Sequence, residues 1–194
     1  MTAIRSTSLL LAVVLGTTFA LSGCAPIVVA GAAAGAALVV SDRRSAGAQV
    51  DDQAIETKAI ADANSQWGDR IHINVTSFNG VVLLTGEAPN ATTRDAIAAM
   101  VGRIDRVRSV QNEMVIAPNT PMSSRTNDTY ITSKVKTRFV EENRFPANRV
   151  KVVTERQVVY LMGLVRREEG DAAAQIAATT SGVVRVVKLF EYIN

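Results

Sequence analysis

The 194 residues predict an α+β fold made of two αββαβ repeats, each a small three-stranded mixed sheet packed against two helices. Three observations carry this expectation. Sliding the sequence on itself by 76–77 residues lays Asp52-x-x-Ile55-x-x-Lys58 on Asp128-x-x-Ile131-x-x-Lys134 and Ile73-x-Val75 on Val150-x-Val152. The same shift lays Val82-x-Leu84-x-Gly86 on Val159-x-Leu161-x-Gly163, and Val107-Arg108-Ser109-Val110 on Val184-Arg185-Val186-Val187. Within each copy the apolar spacing switches from a helical to an alternating period, twice. A composition of 47% hydrophobic and 20% charged residues describes a folded chain, while a single Cys and a single His exclude an internal disulfide and a multi-His metal centre.

The elements follow in order. Each copy is expected to open with an acidic N-cap, Asp51/Asp52 or Asp128, whose carboxylate accepts from free helix N–H groups. In copy two Ile131, Val135 and Phe139 recur at i, i+4 and i+8, an apolar stripe that must face a core. Alternation over residues 71–75 predicts a half-buried strand, Asn79-Gly80 a tight turn, and residues 81–85 the next strand, which Gly86 ends as Gly163 does in copy two. Arg156-Gln157 stands where copy one has the Asn-Gly turn. Second helices are expected over 92–101 and 168–179, with Ala-rich faces, and last strands over 107–116 and 184–193.

The N-terminus has a different character. Arg5 followed by an apolar stretch over 9–21, too short to span a bilayer comfortably, reads as an export signal. Leu21-Ser22-Gly23-Cys24 resembles a bacterial lipobox, which makes Cys24 the expected lipid attachment point and covalent lipid the only expected non-protein group, with no cofactor or metal. Ala25, rather than Asp, after the Cys fits an outer-membrane destination facing the periplasm. The organisation expected is a signal peptide (1–23), a lipidated Ala/Gly-rich tether (24–45), domain one (46–116), a Pro/Ser linker (117–125) and domain two (126–194). Residues 27–40 are too few for a transmembrane helix, and read as a tether near the lipid or as a membrane-surface helix.

No catalytic constellation emerges. His72 alternates with Ile71 and Ile73 and is expected on an exposed sheet face; Trp67 is expected to cap a core. The pairs Asp51-Asp52, Glu141-Glu142 and Glu168-Glu169 suit helix ends or solvation better than acid–base work. The Gly31/Gly35 run lacks the Lys and Ser/Thr of a phosphate-binding loop. Charge is more informative. A net +3 over the chain is too weak to imply nucleic acid, but residues 46–117 carry six basic and nine acidic groups, and residues 122–194 carry twelve basic and eight acidic. On the first helix of copy two, Tyr130, Ser133, Lys134 and Thr137 project away from the core stripe, with Arg125, Lys136 and Arg138 nearby. An exposed aromatic among cations suits either a solvated basic helix or the headgroup layer of an anionic membrane.

The repeated pattern, together with Arg44-Ser45-x-Gly47-x-Gln49-Val50-Asp51-Asp52 and Asn127-Asp128-Thr129-x-Ile131-Thr132-x-Lys134-Val135, resembles the BON domain and, over nearly all the mature chain, the dual-BON periplasmic lipoproteins. Tyr130 stands where a Trp is expected. The resemblance implies a non-enzymatic outer-membrane lipoprotein that binds anionic phospholipid such as phosphatidylglycerol through its second BON domain. It further implies support of outer-membrane integrity and localisation at the division site. Carried over by position, the lipid-binding residues are Tyr130, Ser133, Lys134, Thr137 and Arg138. The competing expectation is a periplasmic adaptor for envelope protein partners, in cell-wall hydrolase regulation or outer-membrane protein assembly, with the acidic first copy as the binding face.

Overall fold

The computed structural model describes residues 42–118 and 122–194. The export signal, Cys24, most of the tether and the Gly31/Gly35 run therefore lie outside the described residues.

Helix α1 (Ala46–Trp67) is capped by Ser45, whose Oγ accepts from the Ala48 N–H at 3.0 Å, and it ends at Gly68, which takes φ 54°. Asp52, Ile55, Ala59 and Ala63 are its buried stripe. The expected acidic N-caps are thus corrected: Asp51 and Asp52 lie inside α1, and Asp128 lies well inside α3 (Met122–Glu142). Both buried aspartates cap something else. Asp52 accepts from the N–H groups of Asn79 and Gly80 at 2.7 and 2.8 Å, and Asp128 from those of Arg156 and Gln157 at 2.8 Å each. Each helix thereby holds the hairpin turn of its own sheet; the turn starts 27 residues after Asp52 and 28 after Asp128, which is why the repeat offset passes from 76 to 77.

After a 3₁₀ turn (Gly68–Arg70), β1 (His72–Phe78) and β2 (Val81–Ala88) pair antiparallel from Phe78↔Val81 to His72↔Glu87. Their turn residues Asn79 and Gly80 have φ of 53° and 76°. In copy two β5 (Lys151–Glu155) and β6 (Val158–Val165) repeat the hairpin, with Arg156 and Gln157 at φ 51° and 64°. Two non-glycine residues adopt a conformation that favours Asn and Gly, and the Asp128 carboxylate holds both N–H groups in it. Gly86 does not end its strand, nor does Gly163: β2 and β6 run two residues beyond them. A Cβ at Gly86 would lie 2.1 Å from the His72 carbonyl oxygen, and one at Gly163 2.5 Å from that of Arg149, so both mark close backbone crossings.

Helices α2 (Ala91–Val101) and α4 (Arg167–Ala178) return the chain for a parallel strand beside β2 or β6. In copy two this is β7 (Arg185–Tyr192). In copy one the expected strand is broken into β3 (Ser109–Asn112) and β4 (Val115–Ile116), because Met114 turns into the core between them. Residues 122–125, expected as linker, form the first turn of α3.

Each helix pair covers one face of its sheet. Ile55, Ala59, Ala63 and Ile97 pack on Val75, Val82 and Leu84, with Trp67 against the same core as expected; Ile131, Val135, Phe139 and Ile176 pack on Val152, Val159 and Leu161. The opposite sheet faces pack on one another through Phe78 and Leu83 of copy one and Tyr160 and Met162 of copy two. The result is an α/β/β/α stack with helices outermost. Ion pairs bound this seam: Lys151–Glu56 at 2.9 Å, Arg108–Glu191 at 2.8 Å, Arg156–Glu87 at 3.5 Å and Arg185–Glu113 at 3.6 Å. Residues 43 and 44, expected as tether, join both repeats. Arg44 pairs with Asp52 at 2.8 Å and lies over the Phe78 ring, while Arg43 reaches Glu169 at 2.6 Å and the Leu164 carbonyl at 2.9 Å.

Candidate lipid-facing groove

Because α3 commits Ile131, Val135 and Phe139 to the core, the residues between them face outward. Tyr130, Ser133, Lys134, Thr137, Arg138 and Glu141 line one wall of a groove of about 550 Å³, and Thr179, Thr180 and Ser181, just past the end of α4, line the other. All five residues singled out in the sequence are brought together here. Tyr130 is 62% exposed, and Val140, one flank along the same helix face, is 66% exposed.

The cations of the groove are not equivalent. Lys134 Nζ stands 4.7 Å from the centroid of the Tyr130 ring and donates to the Ser181 carbonyl, so one ammonium links the aromatic to the opposite wall. Arg138 is more fully engaged: Nη1 donates to the Ile176 carbonyl at 3.0 Å and to the Thr179 and Thr180 hydroxyls at 3.0 and 3.1 Å, and Nη2 meets Glu142 at 2.6 Å. Its guanidinium donates to the Ile176 carbonyl near the end of α4 and ties α3 to α4. Lys136 is exposed. An apolar-edged slot with a ring at its mouth and an ammonium beside it can receive an anionic headgroup while the ring meets the acyl boundary. Thr179, Thr180 and Ser181 were not visible in the sequence as site residues, since only the packing of α4 on α3 brings them to Tyr130.

The remaining candidates fall elsewhere. Asp51 meets Arg106 at 3.1 Å on the surface. Glu169 accepts from the Arg166 N–H at 2.8 Å and from both Arg43 and Arg149; burial pushes its carboxyl up, but these donors together hold it down at about 2. His72 corrects its expectation. Its side chain is only 13% exposed, because the sheet face it occupies is covered by the other repeat, and its Nδ1 lies 2.8 Å from the buried Glu87. Among the described residues, no helix is long and apolar enough to cross a membrane.

Comparison with known proteins finds the BON domain over residues 51–118 and again over 127–194. The chain is 36% identical over 186 residues, 95% of its length and 96% of the other's, to the outer membrane lipoprotein DolP of Haemophilus influenzae. It is 31% identical over 155 residues, 79% of its length and 80% of the other's, to a protein named 21 kDa hemolysin from Actinobacillus pleuropneumoniae. A solved C-terminal domain of CdsD, a structural protein of the Chlamydia trachomatis type III secretion system, aligns over 74% of this chain and 67% of its own at 11% identity with a TM-score of 0.29. With the repeated helix-held hairpin and both BON matches in hand, the chain belongs to the BON-domain family, as a tandem of two BON domains of the kind carried by outer-membrane lipoproteins.

Proposed function

We propose that the protein is a non-enzymatic, lipid-anchored protein of the outer membrane, facing the periplasm, whose second BON domain recognises anionic phospholipid through the α3–α4 groove. In this way it would support envelope integrity by choosing where on the membrane it resides, with the division site as one such location. The observation that carries this reading is the convergence of Tyr130, Ser133, Lys134, Thr137 and Arg138 on one open groove, with Thr179, Thr180 and Ser181 as its other wall. Acyl chains on Cys24 would hold the protein, and the groove would select the surface. Each cation near an anionic surface contributes about 1 kcal/mol, so the groove alone binds at millimolar strength or weaker. Tethering raises the local lipid concentration enough for such contacts to be occupied.

The test uses residues 40–194, the compact unit without the anchor. Amide shifts are followed while phosphatidylglycerol micelles, or zwitterionic ones, are added. Perturbation should centre on residues 130–141 and 179–181, appear with the anionic lipid, and weaken about tenfold or more in Tyr130→Glu. An equal response in Tyr130→Glu, or shifts confined to the first repeat, would favour the adaptor reading instead.

A further inference from the structure

We propose that the polar end of the seam between the two sheets is a binding site for a divalent transition-metal ion, held by His72, Glu87 and Glu155. One donor atom from each residue lies within 4.8 Å of the other two. His72 and Glu87 are cross-strand partners on β1 and β2, and Glu155 arrives from β5 of the other repeat. The two carboxylates are withdrawn from solvent, Glu87 at 0% and Glu155 at 6% exposure. The decisive observation is Glu155: Asn74 donates to its Oε2 at 2.7 Å, but its Oε1 is buried with no hydrogen-bond partner. A buried carboxylate oxygen without a donor is costly unless a cation or proton meets it.

The chemistry fits a borderline ion. One imidazole and two carboxylates are a set suited to Zn²⁺ or Co²⁺ rather than to the all-oxygen coordination of Ca²⁺ or Mg²⁺. With metal–donor lengths of about 2.0–2.2 Å, donors in a tetrahedral site stand about 3.4 Å apart, so side-chain adjustments of an ångström or so close the set. The fourth position would be water. A cavity of about 270 Å³, lined among others by His72, Asn74, Thr154 and Glu155, supplies the path. Arg125 and Asp128 are charged groups that line it, and Arg156, whose side chain is half exposed, pairs with Glu87 at 3.5 Å. Burial, and after it the neighbouring Glu87 and Asp128, raise the Glu155 carboxyl against the opposing Asn74 hydrogen bond and His72. Because the ligands come from both repeats, the ion clasps them together.

The experiment uses the full chain in detergent micelles with ZnCl₂ and CoCl₂ as probes. His72 is the sole histidine of the sequence, so its imidazole ¹⁵N signals report the site without ambiguity. One Co²⁺ per chain should bind with a tetrahedral visible spectrum that Zn²⁺ displaces, the His72 nitrogen signals should shift, and the melting temperature should rise. Glu155→Gln should weaken Zn²⁺ binding at least tenfold, and His72→Gln should abolish the Co²⁺ spectrum, with folding of both checked by circular dichroism. His72 signals that stay in place on saturation with Zn²⁺ would overturn the proposal without recourse to any variant. Unchanged stoichiometric binding in folded Glu155→Gln would overturn it as well.

Discussion

Asp51 and Asp52 are adjacent and identical in chemistry, yet the structure gives them opposite weight. Asp52 is 3% exposed and accepts from four donors: Ser77 Oγ at 2.6 Å, the Asn79 and Gly80 N–H groups at 2.7 and 2.8 Å, and Arg44 Nη1 at 2.8 Å. Hydrogen bonds to a charged acceptor contribute about 1.5–3 kcal/mol each, but they are not additive around one carboxylate, and the main loss on truncation is the desolvated donors left behind. Asp52→Ala should therefore cost about 3–5 kcal/mol, a large part of the stability of a domain this size. Asp51→Ala, which removes only the exposed pair with Arg106, should cost at most about 1 kcal/mol. The difference has a pH signature. Burial alone would raise the Asp52 carboxyl, but its hydrogen bonds from Ser77, Gly80, Asn79 and Arg44 outweigh that and lower it below the usual carboxylate value. A depressed folded value means that the contribution is complete above the unfolded pKa of about 3.9 and is lost as pH falls through the folded one. Urea unfolding of residues 40–194 at pH 7 and below pH 4 measures both effects. Equal midpoints for Asp51→Ala and Asp52→Ala at pH 7, or a loss in Asp52→Ala below about 1 kcal/mol, would refute the turn-holding role.

Two further outcomes follow from the same geometry. Gln157→Gly should stabilise the second repeat by about 0.5–1 kcal/mol, because Gln157 takes φ 64° with an exposed side chain and copy one already has Gly at the equivalent Gly80; thermal melting checks it. Arg43→Ala should remove about 1–2 kcal/mol at pH 7, after allowance for solvent screening, and the part owed to Glu169 should fade as pH falls from about 4.5 toward 2, where Glu169 protonates, leaving the smaller part owed to the Leu164 carbonyl; urea midpoints across that range are the measurement.

The repeat, the element order and the core stripes were readable in the sequence because each is a local periodicity repeated once. Ile131, Val135 and Phe139 go where helical spacing sends them. The N-cap assignment of Asp52 and Asp128 failed for a physical reason: an aspartate before an apolar stripe looks the same whether it caps its own helix or a turn about 27 residues later, and only burial of the turn decides. His72 failed similarly. Strand alternation shows that it faces away from Ile71 and Ile73, but not that a second sheet covers that side. One wall of the groove, on α3, was readable from helical spacing; the wall from residues 179–181 was not, since no local signal reports which helix packs beside which.

The opposed charges of the repeats were visible in the sequence as a difference of fields, and the structure shows where much of that charge is committed. Lys151, Arg156 and Arg185 of the basic repeat meet Glu56, Glu87 and Glu113 of the acidic one across the seam, and Arg149 joins Arg43 on Glu169. Arg138 is held by the Ile176 carbonyl, two hydroxyls and Glu142. The surplus of the second repeat is therefore a poor guide to its membrane attraction, and Lys134 and Lys136 are the cations on α3 best placed to supply it. Two such charges give about 2 kcal/mol, far short of stable binding from solution. On the proposed reading, recognition through this groove would therefore require both the Tyr130 ring and a covalent tether, and the domain would act as a selector of surface for a protein already held at the membrane.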